Sequence, residues 1–200
     1  TFELTEGNYI GTYQKNDFKK SDSDKHDRID RIWDKAKADE LFQTVQNADK
    51  AEITETKKRS PQSPGRLYDL TTLQREANRL HHYPASRTLQ IAQSLYERHK
   101  VITYPRTDSK ALPEDYGPTC KNLLESISGE LAPHAQKALQ SNWVDEKNKK
   151  IFNNKQISDH FAIIPTSTSP AKLDANERKI YNLITKRFIS VFYPPAQWDV

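Results

Sequence analysis

The sequence predicts an α+β protein, mainly α. Three observations carry that reading. Apolar residues recur at helical spacing over "DLTTLQREANRL", "PASRTLQIAQSLYERH" and the stretch after Asp174. Helix-start signals stand at the head of these runs. Strand-like alternation is confined to short stretches such as "FELTEGNYIGTYQK" and "VITY".

In chain order, residues 2–15 alternate around Gly7-Asn8, a hairpin signal, and a charged polar loop follows to about Asp27. Ile29, Ile32, Trp33, Ala36, Leu41 and Val45 are spaced for a helix. "KAEITETKKR" reads as a strand, with Ala51, Ile53 and Glu55 alternating, and "SPQSPG" at 60–65 reads as a loop and domain boundary. Beyond it, Asp69 is an N-cap for a stripe of Leu70, Leu73, Ala77 and Leu80. Pro84 suits the first turn of the next helix, whose stripe is Thr88, Leu89, Ala92, Leu95 and Tyr96. Arg98 and His99 complement its negative end. Helices are expected near 113–127 and 133–141, with an irregular stretch from 151 to 170. Asp174 and Glu177 form a capping box for a last helix that buries Ile180, Leu183, Ile184, Phe188 and Val191 and stops before Pro194-Pro195.

Composition bounds the function. Of 200 residues, 34% are hydrophobic and 29% charged, a thin apolar supply, yet 7 Phe, 9 Tyr and 3 Trp remain for a core. The thin core, the start at Thr1, the absence of Met and the ending at "PPAQWDV" suggest a piece of something larger. No run approaches the ~18 apolar residues of a membrane span, and no signal peptide opens the chain. The single cysteine, Cys120, excludes an internal disulfide and a cysteine-based zinc site, and suits a reducing compartment. Net charge of +4 permits a nucleic-acid partner without requiring one. Basic clusters at 15–20, 57–59 and 147–150 read individually as solvated surface. Asp22, Asp24 and Asp27 read as a solvated loop, because no EF-hand glycine and terminal glutamate follow. His81 and His82 are adjacent on a helix and diverge, so they do not make a metal pair.

The chemistry concentrates in "VITYPRTDSK". Pro105 pushes Tyr104 toward extended geometry, and Arg106, two residues on, then points the same way. A free phenol has a pKa of ~10 and is a poor nucleophile at neutral pH. A nearby guanidinium favours the phenolate and neutralises phosphate oxygens in a transition state. The same local pattern also fits a packed tyrosine beside a surface arginine.

The surrounding words decide between these. "LYDLTTLQREAN", "TLQIAQSLYERHKVITYPRTDS", "LPED" and "SDHFAIIPT" stand here in an order and spacing that resemble the type IA DNA topoisomerases, the topoisomerase III branch above all. The resemblance covers about residues 64–193 and is diffuse over 1–60. It implies a toroidal, four-domain enzyme that cleaves one DNA strand through a 5′-phosphotyrosine bond, passes another strand and reseals without ATP. It implies that Tyr104 is the nucleophile, Arg106 the cation on the scissile phosphate, and His160 the active-site histidine of the phosphate network. Phe161 departs from the Glu or His usual after that position. Gln93 and Arg98 are weaker candidates for DNA contact, while Thr107, Asp108 and Ser109 match the motif and are expected to shape the loop and support DNA binding.

By the same resemblance, residues 1–63 are expected to be part of a β-rich arch, 64–190 a helical tyrosine domain inserted into it, and 191–200 the return to the arch. The general-acid glutamate and the Mg²⁺-binding acids belong in that family to a Toprim domain, whose signature is not found here. Mg²⁺ is thus expected in the parent enzyme and no cofactor in this chain. The expected partner is single-stranded DNA, with no membrane and no nucleotide cofactor, a monomeric chain, and a cytoplasmic, nucleoid-associated setting if bacterial. The rival readings are a single-stranded DNA-binding module with no catalysis in isolation, and a helical interaction domain with an incidental motif.

Overall fold

The computed structural model describes all residues except 1, 5, 6, 17, 20–25, 49, 51–53, 55 and 200. The chain forms two compact units, Thr1–Thr56 and Lys57–Val200. It is mostly helical, with two two-stranded sheets among the described residues.

In the first unit, β1 (Phe2–Leu4) and β2 (Gly7–Tyr9) pair antiparallel, Leu4 opposite Gly7. The expected hairpin is present, but Gly7-Asn8 opens its second strand; the connection falls on residues 5 and 6, outside the described residues. Helix α1 (Lys35–Gln46) starts six residues later than the spacing of Ile29 suggested. The reason is local: the Asp34 carboxylate accepts from the amides of Ala36 and Lys37 and fixes the N-terminus there. No residue of α1 is buried; Phe42 is 63% exposed and Trp33, just before the helix, 65%. The expected strand at 50–59 rests on Ala51, Ile53 and Glu55, outside the described residues; Thr54 and residues 56–58 are not strand.

The second unit opens with a correction. Residues 60–62, expected as loop, belong to β3 (Arg59–Gln62), which pairs antiparallel with β4 (Ala196–Asp199), Ser60 opposite Trp198. The Trp198 indole N–H donates to Gln62 Oε1 at 2.8 Å across that ribbon. Helices α2 (Leu70–His81) and α3 (Ala85–Glu97) pack together, and α4 (Gly117–Ser126) packs on α5 (Ala132–Gln140). The capping boxes read at Asp69 and Asp174 are both formed, the second opening α6 (Ala175–Ser190). Val191 lies just past the end of α6, as its C-cap.

Two apolar clusters divide the interior. Leu73, Ala77, Ile91, Leu95, Ile180 and Ile184 unite α2, α3 and the first half of α6. Cys120, Leu124, Ala138, Phe152, Phe188 and Phe192 unite α4, α5 and its second half. Between them runs the extended stretch 160–166. Its period of two sends Ile163 into the first cluster and Ala162 and Ile164 into the second. Burial pushes the Cys120 thiol up to about 12, so it is an inert core residue.

Arg187 of α6 ties down the start of this unit. It donates to Arg66 O at 3.1 Å and to the Tyr68 hydroxyl at 3.2 Å, and its guanidinium carbon lies 4.4 Å from the Tyr68 ring centroid. Burial raises the Tyr68 phenol to about 12 despite that cation. Gly65 fits beneath Arg187 because a Cβ there would run into the guanidinium.

Candidate active site

Tyr104 and His160 lie about fifty residues apart in sequence and meet because their segments run antiparallel and are stitched together. Thr103 N donates to Ile164 O at 3.0 Å, and Ile102 bridges Pro165. The Thr103 hydroxyl donates to Ala162 O at 2.9 Å and accepts from Ile164 N at 3.0 Å. Farther along, the Thr107 hydroxyl donates to His160 O at 2.8 Å, and Ala162 N donates to Ala111 O at 3.0 Å. "VITY" is thus extended and bridged but is no strand of a regular sheet. Pro105 stops it, as its missing N–H predicts.

This stitching sets the Tyr104 ring against that of His160, centroids 4.2 Å apart and planes at 43°. On another side the Tyr96 ring meets Tyr104 edge-on, at 5.4 Å and 79°. The Lys100 ammonium lies over Tyr96 at 5.4 Å. Tyr104 is half-buried, and Arg106 and His160 are exposed.

Arg106 is held by α3. With the Gln93 amide turned so that donor meets acceptor, its oxygen accepts from Arg106 Nε at 3.2 Å and Nη2 at 2.9 Å. Gln93, read as a DNA contact, therefore has the guanidinium as its partner. Arg98, at the C-cap of the same helix, is exposed and does not line the groove at Arg106.

That groove, about 420 Å³, is bounded by Arg106, Thr107, Asp108, residues 158–160 and the first turn of α2. In that turn Leu70 N donates to Thr107 O at 3.0 Å and Thr72 N to Asp69 Oδ1 at 2.7 Å. These two amides are thereby occupied, so the Arg106 guanidinium is the cation that the groove offers an anionic oxygen. Asp69, Asp108 and Asp159 also line it, so the groove is not uniformly basic. Asp69 is paired with Lys110 at 3.5 Å.

Two of the other motif residues face inward. Thr107 and Ser109 are buried, Ser109 at 3% exposed. Ser109 N donates to the Thr107 hydroxyl at 3.0 Å, and the Ser109 hydroxyl accepts from Ala111 N at 3.2 Å. They shape the loop that carries Arg106. Asp108 is exposed and accepts from the Ser158 hydroxyl at 3.2 Å. Phe161 points away from His160, its ring 5.0 Å from Tyr116 and packed on the α4–α5 cluster. The alternation of an extended chain separates the two positions, so an apolar residue at 161 serves the core.

Sequence reasoning missed Tyr96, the α2 N-terminus and the Thr103 hydroxyl. The first two are brought in by tertiary packing; Thr103 alone had a signal, as a hydroxyl facing away from Tyr104 beside an extended partner. Among the described residues no group of three or more His, Cys, Asp or Glu could hold a metal ion. None of their helices is long and apolar enough to cross a membrane.

A family model described as DNA topoisomerase matches residues 8–200. DNA topoisomerase 3 of Bacillus cereus (strain ATCC 14579) is 42% identical over 174 residues, 84% of this chain and 23% of that protein. DNA topoisomerase 3 of Bacillus subtilis (strain 168) is 39% identical over 180 residues, 88% of this chain and 24% of that protein. The chain thus spans about a quarter of the length of the curated relatives it matches. The structure of full-length topoisomerase I from Thermotoga maritima aligns with a TM-score of 0.52 and 25% identity, covering 80% of this chain and 26% of that one.

Proposed function

This chain belongs to the type IA DNA topoisomerases and stands with their topoisomerase 3 branch, and from that premise we propose that Tyr104 is the nucleophile of a reversible DNA-strand transesterification. The observation that carries the proposal is the packing of Tyr104 on His160 from two stitched segments, with His160 and Arg106 together lining the adjoining groove.

In this reading the Tyr104 hydroxyl attacks a backbone phosphorus. The bond from phosphorus to the 3′-oxygen breaks, a 5′-phosphotyrosine ester forms, the phenol loses its proton and the leaving 3′-oxygen gains one. One phosphate ester replaces another, so resealing by the reverse step needs no ATP. Arg106, oriented by Gln93, neutralises the phosphate oxygens. His160 packs on the phenol and presents its imidazole to the same phosphate. Thr107 and Ser109 hold the loop. The described residues of this chain do not supply a metal site, and no step here is assigned to a metal.

The whole activity is a property of a longer enzyme in which this chain is the tyrosine-bearing part: residues 64–190 form the helical tyrosine domain, and 1–63 and 191–200 belong to the arch. Mg²⁺ and the proton for the 3′-oxygen come from the Toprim part of that enzyme. The chain by itself binds single-stranded DNA as a monomer, with affinity that falls as salt rises, and does not accumulate an adduct.

In an enzyme of the relatives' full length, Tyr104→Phe abolishes both plasmid relaxation and the covalent protein–DNA band, and Arg106→Ala lowers cleavage roughly a hundredfold. Unchanged relaxation by Tyr104→Phe overturns the assignment. An abundant Tyr104 adduct from this chain alone with Mg²⁺ and single-stranded DNA overturns the division of labour.

A further inference from the structure

A second groove, about 480 Å³, shares no residue with the one at Arg106 and His160. Its floor is one face of α6, where Arg178, Tyr181, Asn182, Thr185 and Lys186 follow the i, i+3, i+4 spacing of a single stripe. Tyr181 and Thr185 are buried along with the opposite stripe of α6, so Arg178, Asn182 and Lys186 are the residues of this face that the groove can reach. The walls are residues 126–131 and the serine- and threonine-rich stretch 166–170.

The walls are held in place. The Thr166 hydroxyl donates to Lys100 O at 2.6 Å and Thr166 N to Val101 O at 2.9 Å. Arg178 Nη2 donates to Pro170 O at 2.5 Å. Four donors in the lining have no side-chain partner: Lys186, Asn182 and the hydroxyls of Ser167 and Ser169 make no side-chain hydrogen bond or ion pair among the described residues. Such donors suit anionic oxygens. The two cations are eight residues apart on α6, about 12 Å along its axis, a span that successive phosphates of one strand bridge and a lone phosphate does not. Glu130 is the one acidic residue in the lining.

We infer that this groove holds the sugar–phosphate backbone of single-stranded DNA away from the scissile bond. The inference rests on the DNA-binding reading above. The wall at Thr166 and the site at His160 stand at the two ends of one extended segment, roughly 20 Å apart along it, whose residues 162–165 are buried in the core, so the groove is a separate surface for the same strand. Hydroxyls, an amide and two cations read phosphates rather than bases, so the groove anchors DNA without selecting sequence.

The test uses this chain and a fluorescein-labelled 20-nucleotide oligo-dT, with affinity read by anisotropy over a salt series. Lys186→Glu is compared with Lys179→Glu, which makes the same charge change on the same helix at an exposed position outside the groove. Lys186→Glu is expected to weaken binding five- to tenfold and to reduce the salt slope by about one. Lys179→Glu is expected to change affinity less than twofold, and the Asn182 side-chain amide resonances shift on titration. Equal effects of the two variants, or an unmoved Asn182, overturn the groove. If Arg106→Ala weakens binding while Lys186→Glu does not, the groove falls and the site at Tyr104 stands. A chain that binds no oligo-dT overturns both.

Discussion

Helices α1 and α6 obey the same local rules and end in opposite situations. Each starts at an aspartate whose carboxylate accepts from two backbone amides of the first turn. Each carries apolar residues at helical spacing. Yet α6 buries eight residues and threads both clusters of its unit, whereas α1 buries none. Capping and periodicity decide that a helix forms and where it starts. Only a partner surface decides whether its apolar stripe becomes a core, and the described residues of the first unit bury no residue of α1.

Removing a large apolar side chain from each helix is the strongest way to break this contrast. Phe188 of α6 is 0% exposed and meets Phe192 edge-on at 5.4 Å. Phe188→Ala is expected to cost about 3–5 kcal/mol of unfolding free energy, while Phe42→Ala in α1 changes it by less than about 0.5 kcal/mol. Urea denaturation followed by circular dichroism measures both. A cost above about 2 kcal/mol for Phe42→Ala would show that α1 does have a packing partner.

The caps sharpen the contrast at lower energy. Glu177 at α6 accepts from the Ser94 hydroxyl at 2.7 Å and from Asp174 N at 3.0 Å, and lies 3.1 Å from His99 Nε2. Burial opposes its charge, but these partners outweigh burial and hold the carboxyl below its usual range. Glu177→Ala, which strands those donors, is expected to cost about 3 kcal/mol. The sign of the pH effect follows from the depressed folded value. The contribution is full above the unfolded carboxyl value of about 4.3 and is lost as pH falls below it through the folded value. Acid titration of stability should therefore be shallower in Glu177→Ala than in the parent chain. An unchanged acid limb would mean that Glu177 is not held below its usual range. Asp34→Ala at α1 is expected to cost about 1 kcal/mol at most, read as lost helicity, because no residue of that helix is buried.

What could be read in the sequence follows the same line. Asp69 and Asp174 announced their helices because a cap and its first turn are neighbours in the chain. Pro105 as the stop of the extended run was legible for the same reason, whereas the chain bends at 105–106 and Arg106 pairs with Gln93 of α3, which the alternation of an extended chain does not give. The strand at 59–62 was not: Ser60, Pro61 and Gln62 resemble a loop, and only pairing with 196–199, at the other end of the unit, makes them a strand. The helix spacing that began at Ile29 ran past Asp34, whose side chain sets the true start. In the site, the meeting of Tyr104 with His160 could be expected only through family resemblance. Gln93 looked like an exposed helix residue until folding set Arg106 beside it. The contact of Tyr96 with Tyr104 had no sequence signal at all.

The hydrogen-bonded seam between residues 102–111 and 160–166 has a mechanical meaning. Tyr104 and His160 ride on one cross-braced splint and cannot drift apart while the helices around them stay folded. In the reading we propose, a DNA end esterified to the phenol would travel with its own phosphate clamp, any opening for a second strand would be borne at a joint elsewhere, and the clamp would return already aligned to rejoin the break.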